Sequence, residues 1–143
     1  MFRLLLVAFL FGASAAAGAQ ALPRADIKAK NATQLTVDEL RELMPGAKVT
    51  SRTQAGSTRY WQNKPDGTFT ASSDGRGSCG GRNCPSSAPG TWRVRDDGAL
   101  CVNIKWPTAA DDWCRYIFKA GDKYYGVGRR EDSALASEFQ ISK

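Results

Sequence analysis

The side chains that could do chemistry in this chain are four cysteines, two adjacent aspartate pairs and a scatter of serines, with no histidine in 143 residues. The missing histidine removes Ser-His and Cys-His nucleophile pairs and any His-ligated zinc. It also removes the one side chain that titrates near neutral pH without help. Cys79 and Cys84 form a C-x4-C, and Cys101 and Cys114 follow at wider spacings. A four-cysteine zinc site is usually built from two C-x2-C knuckles, so the pattern reads as disulfides and no metal. The even count also argues against a lone activated thiolate. Asp96-Asp97 and Asp111-Asp112 are sequence neighbours, which point to opposite faces of a strand and seldom converge on one substrate. Both pairs sit in turn or loop contexts, where Asp is favoured for backbone capping. No G-x-S-x-G elbow or S-x-x-K accompanies the serines, and the glycines of Gly75–Gly81 lack the G-K-[ST] of a phosphate loop. The expectation is a protein that is not an enzyme and uses no cofactor, with a carboxylate-based hydrolase as the least favoured alternative.

The aromatic and basic residues are more telling. Tyr60, Trp61, Trp92, Trp106, Trp113, Tyr116, Tyr124 and Tyr125 offer large amphipathic surfaces to a small chain. Alternation places Trp92 and Trp106 with Val94, Leu100, Val102 and Ile104, hence in the core. Trp61 and Trp113 fall on the other face, beside Arg59, Arg115 and Lys119. Exposed aromatics next to cations suit recognition of a sugar, an anion or a protein. The Cys79–Cys84 loop, with Arg82 near its tip, is a second candidate binding element. The candidate binding residues are therefore Trp61, Trp113, Arg115, Arg82, Arg59 and Lys119. Net charge is +6, with the basic residues spread along the chain and no nucleic-acid motif among them. The expected partner is a protein or an anionic envelope ligand, not nucleic acid.

These residues need elements to position them. Residues 1–19 read as a signal peptide: Arg3, an apolar run from Leu4 to Phe11, and small residues ending in Ala17-Gly18-Ala19. The apolar run falls short of the ~20 residues that span a bilayer, so no stable membrane anchor is expected and the protein should be periplasmic or secreted. Residues 20–34 show little periodicity and read as a flexible arm. Residues 35–143 read as a single β domain entered through one short helix, Val37–Met44. Thr36 and Glu39 form a capping box there, and Pro45-Gly46 stops it.

From Ala47 on, alternation with frequent turn signals predicts an antiparallel meander of about eight strands. They are Val49–Thr53, Ser57–Asn63, Thr68–Ser72, Thr91–Arg95, Ala99–Trp106, Trp113–Lys119, Lys123–Val127 and Leu135–Ile141. A small barrel would protect the edges, and a strongly twisted sheet covered by the helix is the alternative. Ser73 to Pro89 reads as a long polar loop. If Ala99–Trp106 and Trp113–Lys119 pair antiparallel, Cys101 and Cys114 come opposite one another, close to disulfide geometry. The preferred pairing is Cys79–Cys84 and Cys101–Cys114, with the other connectivities open.

The succession T-V-D-E-L, P-D-G-T-F, G-T-W-R-V, L-C-V and W-C-R-Y-I-F-K-A-G-D-K-Y, over Leu35–Val127, resembles families of small exported bacterial proteins of unknown function. The resemblance implies a short helix before a β domain with a strand-stapling cysteine pair, in an envelope or secreted setting, and implies no activity. Its most specific part is G-T-W with Cys101 and Cys114. The expected role is a disulfide-stabilised, exported, non-enzymatic binding module. An inhibitor or immunity-type protein acting through the Cys79–Cys84 loop is the alternative.

Overall fold

A computed structural model describes residues 22–53, 56–74, 87–107, 109–131 and 133–143. The expected signal peptide, and the expected Cys79–Cys84 bridge with Arg82, lie outside the described residues.

The helix forms where its signals stand. Helix α2 (Val37–Leu43) starts at Thr36, whose hydroxyl accepts from Glu39 N while the Glu39 carboxylate accepts from Thr36 N at 2.7 Å. Leu40 and Met44 on its buried face, with Leu35 before it, join the core. Eight strands follow: β3 (Lys48–Arg52), β4 (Thr58–Gln62), β5 (Thr68–Ser73), β6 (Ser87–Val94), β7 (Ala99–Lys105), β8 (Ala110–Ala120), β9 (Lys123–Val127) and β10 (Leu135–Ser142). Each pairs antiparallel with the next, and β10 returns to pair with β3, with Phe139 opposite Ser51 and Ile141 opposite Val49. The sheet is thus a closed up-and-down barrel, in which no main strand is left with a free edge.

Closure makes one face of every strand an interior. Val49, Trp61, Phe69, Ala71, Leu100, Val102, Ile104, Ile117 and Phe139 fill it. The Trp61 and Phe69 rings stack with centroids 5.4 Å apart, which contributes about 1 kcal/mol beyond area burial. The interior is narrow enough that large rings need missing side chains opposite them. A Cβ at Gly90 would overlap the Phe69 ring, and one at Gly126 would overlap the Phe139 ring.

Helix α2 closes one end of the barrel. Arg41 forms an ion pair at 3.1 Å with Asp96 of the β6–β7 turn, and Lys143, after β10, donates to the Glu42 carbonyl at 2.7 Å.

On β7 and β8, Cys101 and Cys114 are register partners and form a disulfide, with Cα atoms 4.0 Å apart. The bridge stands on the outer face, since their neighbours Val102 and Trp113 belong to the interior cluster.

Three differences from the sequence reading have physical causes. The stretch expected as a loose arm has regular structure from Leu22 onward: β1 (Leu22–Pro23) pairs β10, α1 (Arg24–Ala29) follows, and β2 (Thr33–Gln34) pairs β8. One residue accounts for much of it: Ile27 of α1 is fully buried on the barrel's outer wall among Phe118, Tyr125, Val127 and Ala136. Strand β6 begins at Ser87, inside the expected loop, because Ala88 and Gly90 sit under the core while Pro89 faces out. Strand β8 likewise begins at Ala110, ahead of Trp113, which puts Asp111 in the sheet.

Candidate functional site

The end of the barrel away from α2 carries a pocket of about 400 Å³, lined by Ser51, Arg52, Thr53, Arg59, Trp61, Ile104, Asp111, Trp113 and Arg115. Register explains the convergence. Asp111, Trp113 and Arg115 are alternate residues of β8 opposite Ile104, Val102 and Leu100, so all three face inward at successive depths. Arg59 and Trp61 do the same from β4.

Four of the residues assigned to an exposed face are therefore interior. Trp61 is 5 % exposed and Arg59 is 8 % exposed, while Trp113 and Arg115 are half-buried with Trp113 packed on the core. Alternation separates two faces of a strand without saying which is inside. On β8 both faces carry apolar residues: the inner one meets the core, and the outer one, with Tyr116 and Phe118, is covered by α1 and the N-terminal segment. The parity of Ile117, which is fully buried, was the available signal for Trp113 and Arg115. Lys119 shares that parity but lies at the other end, exposed, with its ammonium 5.8 Å from the Tyr124 ring. It belongs to a different pocket, beside α2, together with Glu39 and Glu42. Trp92 and Trp106, expected in the core, are there: Trp106 is buried, and Trp92 packs on the core while its indole donates to the Lys64 carbonyl at 2.9 Å.

The polar groups of the mouth divide into a satisfied set and an unsatisfied one. Asp111 Oδ2 accepts from Arg59 Nε at 3.0 Å and from Trp106 Nε1 at 2.8 Å. Arg59 also donates to Ser73 Oγ, and its guanidinium carbon lies 4.7 Å from the Trp106 ring centroid. The buried Arg59 charge is thus neutralised and held in one orientation. Trp61 donates to Asn63 Oδ1 at 3.0 Å, and Asn63 Nδ2 donates to the Met44 carbonyl at 3.0 Å. That buried chain ties the pocket wall to the end of α2.

Arg115 differs. Its guanidinium lies 4.9 Å from the Trp113 ring centroid and 5.7 Å from that of Phe139, and Nη1 is buried without a hydrogen-bond partner. No carboxylate among the described residues pairs with it. Burial pushes its pKa below the ordinary arginine value, though arginine remains charged at any physiological pH. A charged donor short of acceptors inside a barrel is energetically costly, and that cost falls when an anion arrives.

Nothing in the residue types of Asp111, Trp106 and Ser73 marks them as site residues. Asp111 read as half of a turn pair, and Trp106 gave no hint that its N–H would orient a carboxylate. Asp112, its neighbour, points outward and is exposed, so the pair does not converge. Among the described residues no cluster of His, Cys, Asp and Glu could hold a metal ion, and no helix is long and apolar enough to cross a membrane.

The family model described as "Protein of unknown function (DUF995)" matches residues 7–114, and the chain belongs to that family. No curated protein and no solved structure gives a significant match to the chain.

Proposed function

We propose that this DUF995 protein is an exported, non-enzymatic binding module that holds a small ligand in the mouth of its barrel. The observation that carries the reading is the pocket of about 400 Å³, walled by Trp61 and Trp113 and containing Arg115, whose Nη1 has no hydrogen-bond partner among the described residues. Its size falls within the range of small-molecule sites, and its lining sets two tryptophan rings among polar and charged groups, more polar than most such sites and suited to a ligand that carries charge. Eight strands give a barrel just wide enough for filling side chains or one small ligand. Here the side chains fill the α2 end and leave the other end open. Export is supported by the charged, apolar and small-residue succession of residues 1–19 and by the Cys101–Cys114 bridge, which persists in an oxidising compartment.

The test is a titration of 1-anilinonaphthalene-8-sulfonate, a fluorescent apolar anion, into protein obtained by expressing the full chain. Saturable binding to a single site is expected, with energy transfer from tryptophan. Thr53→Trp, which fills the rim, should abolish it with the melting temperature unchanged. Equal binding by wild type and Thr53→Trp, or no saturable binding, would refute the reading.

A further inference from the structure

The pocket has a charge arithmetic that narrows its ligand. Within it Arg59 is balanced by Asp111 at 3.0 Å, and Asp111 is further engaged by the Trp106 indole. Arg115 has no carboxylate partner among the described residues, and its Nη1 makes no hydrogen bond there. Arg52, the remaining charged residue of the lining, is exposed at the rim, where water screens it. Inside the rim, among the described residues, one positive charge is left uncompensated, placed deeper along β8 than Trp113 and flanked by the rings of Trp113 and Phe139. A guanidinium presents a planar fork of donors that matches a carboxylate. Aromatic faces on either side favour a flat apolar body next to that charge.

We infer that the ligand is a flat monocarboxylate, with its carboxylate on the Arg115 guanidinium and its apolar body between Trp61 and Trp113. The inference rests on the proposed binding role of the mouth and adds the chemical class. Arg115 is the anion-binding residue. The Arg59–Asp111 pair, already neutral, shapes the entrance without contributing net charge. A dianion would bring a second negative charge that only Arg52, exposed and solvent-screened at the rim, could meet. A neutral molecule would leave the Arg115 donor unsatisfied.

The experiment compares three probes sharing one ring system: 2-naphthoate, 2-naphthalenemethanol and 2-naphthyl phosphate, by calorimetric titration at neutral pH. Protein from full-chain expression is used as wild type, Arg115→Met and Arg115→Lys. Expected is 2-naphthoate binding about tenfold or more tighter than the alcohol, with the phosphate weaker than the carboxylate. Arg115→Met should erase the preference for the carboxylate, and its circular dichroism spectrum and cooperative melting, matching those of wild type, show that the variant is folded. Arg115→Lys should keep part of the preference, because the charge remains and the fork is lost. Equal binding of naphthoate and alcohol by wild type would overturn the carboxylate assignment and leave the pocket reading standing. Tighter binding of the phosphate would overturn the monoanion assignment. Absence of binding by all three probes would overturn both.

Discussion

The guanidinium carbon of Arg115 stands 4.9 Å from the centroid of the Trp113 ring, two positions earlier on the same inward face of β8. The contact puts a charged group and a large aromatic at neighbouring depths of a closed barrel, both pointing inward. The residues that brace them should therefore be sensitive to change in specific ways.

Gly126 is the closest brace. A Cβ there would overlap the Phe139 ring and come within 3.0 Å of Arg115 Cδ. Gly126→Val should lower stability in urea by about 1–3 kcal/mol, the usual cost of overpacking a tight interior. Gly128→Ala, where an added Cβ meets nothing within 4 Å, is the control and should be near neutral. Equal effects at the two positions would mean that Phe139 does not lie over Gly126.

Asp111 and Asp112 make a second contrast between inside and outside. Asp111→Ala removes the partner of a buried guanidinium and of the Trp106 indole, so a loss of about 3–5 kcal/mol is expected in chemical denaturation. Asp112→Ala, exposed on the outer face, should change stability by less than about 0.5 kcal/mol. Reversal of the order would place β8 one residue out of register.

The disulfide offers a third. Cys101 and Cys114 close a short loop between paired strands, and replacing both by Ala should cost about 3 kcal/mol, mostly by freeing the unfolded chain. The check is the denaturation midpoint of the double variant beside that of wild type under non-reducing conditions. Coincident midpoints would contradict a formed bridge.

The capping box predicts a pH dependence. The Thr36 backbone N–H, then its hydroxyl, hold the Glu39 carboxyl below the usual glutamate range. A depressed folded pKa means that its contribution is complete above the unfolded value and fades as pH falls through the folded one. Between pH 6 and pH 3, wild type should lose more stability than Glu39→Gln, whose amide does not titrate. Parallel melting curves for the two proteins over that window would contradict the box.

The parts of the fold written in local chemistry could be read directly. Thr36, Glu39 and Pro45-Gly46 delimit α2 to within a residue, and antiparallel pairing of β7 with β8 is enough to bring Cys101 opposite Cys114. What eluded the sequence was set by closure. Period-two alternation sorts Asp111, Trp113 and Arg115 from Asp112, Cys114 and Tyr116, but both sets are flanked by apolar residues. The outer wall of β8 is buried because Ile27, distant in sequence, packs on Phe118. Arg59 looked like a surface cation since a buried arginine is rare, and its partner Asp111 is supplied by a strand far along the chain. Ala88 and Pro89 read as the end of a loop, whereas β6 already runs through them to Gly90, where the Phe69 ring requires a glycine. Long-range partners, not local propensity, decided each of these.

The most direct test of the site is nuclear magnetic resonance on protein with 15N-labelled arginine, titrated with 2-naphthoate. The Arg115 Nε–H resonance, assigned by its loss in Arg115→Lys, should move progressively and saturate, with the Arg59 resonance nearly still. Saturating shifts confined to other arginines, with Arg115 unmoved, would contradict an anion site inside the barrel mouth.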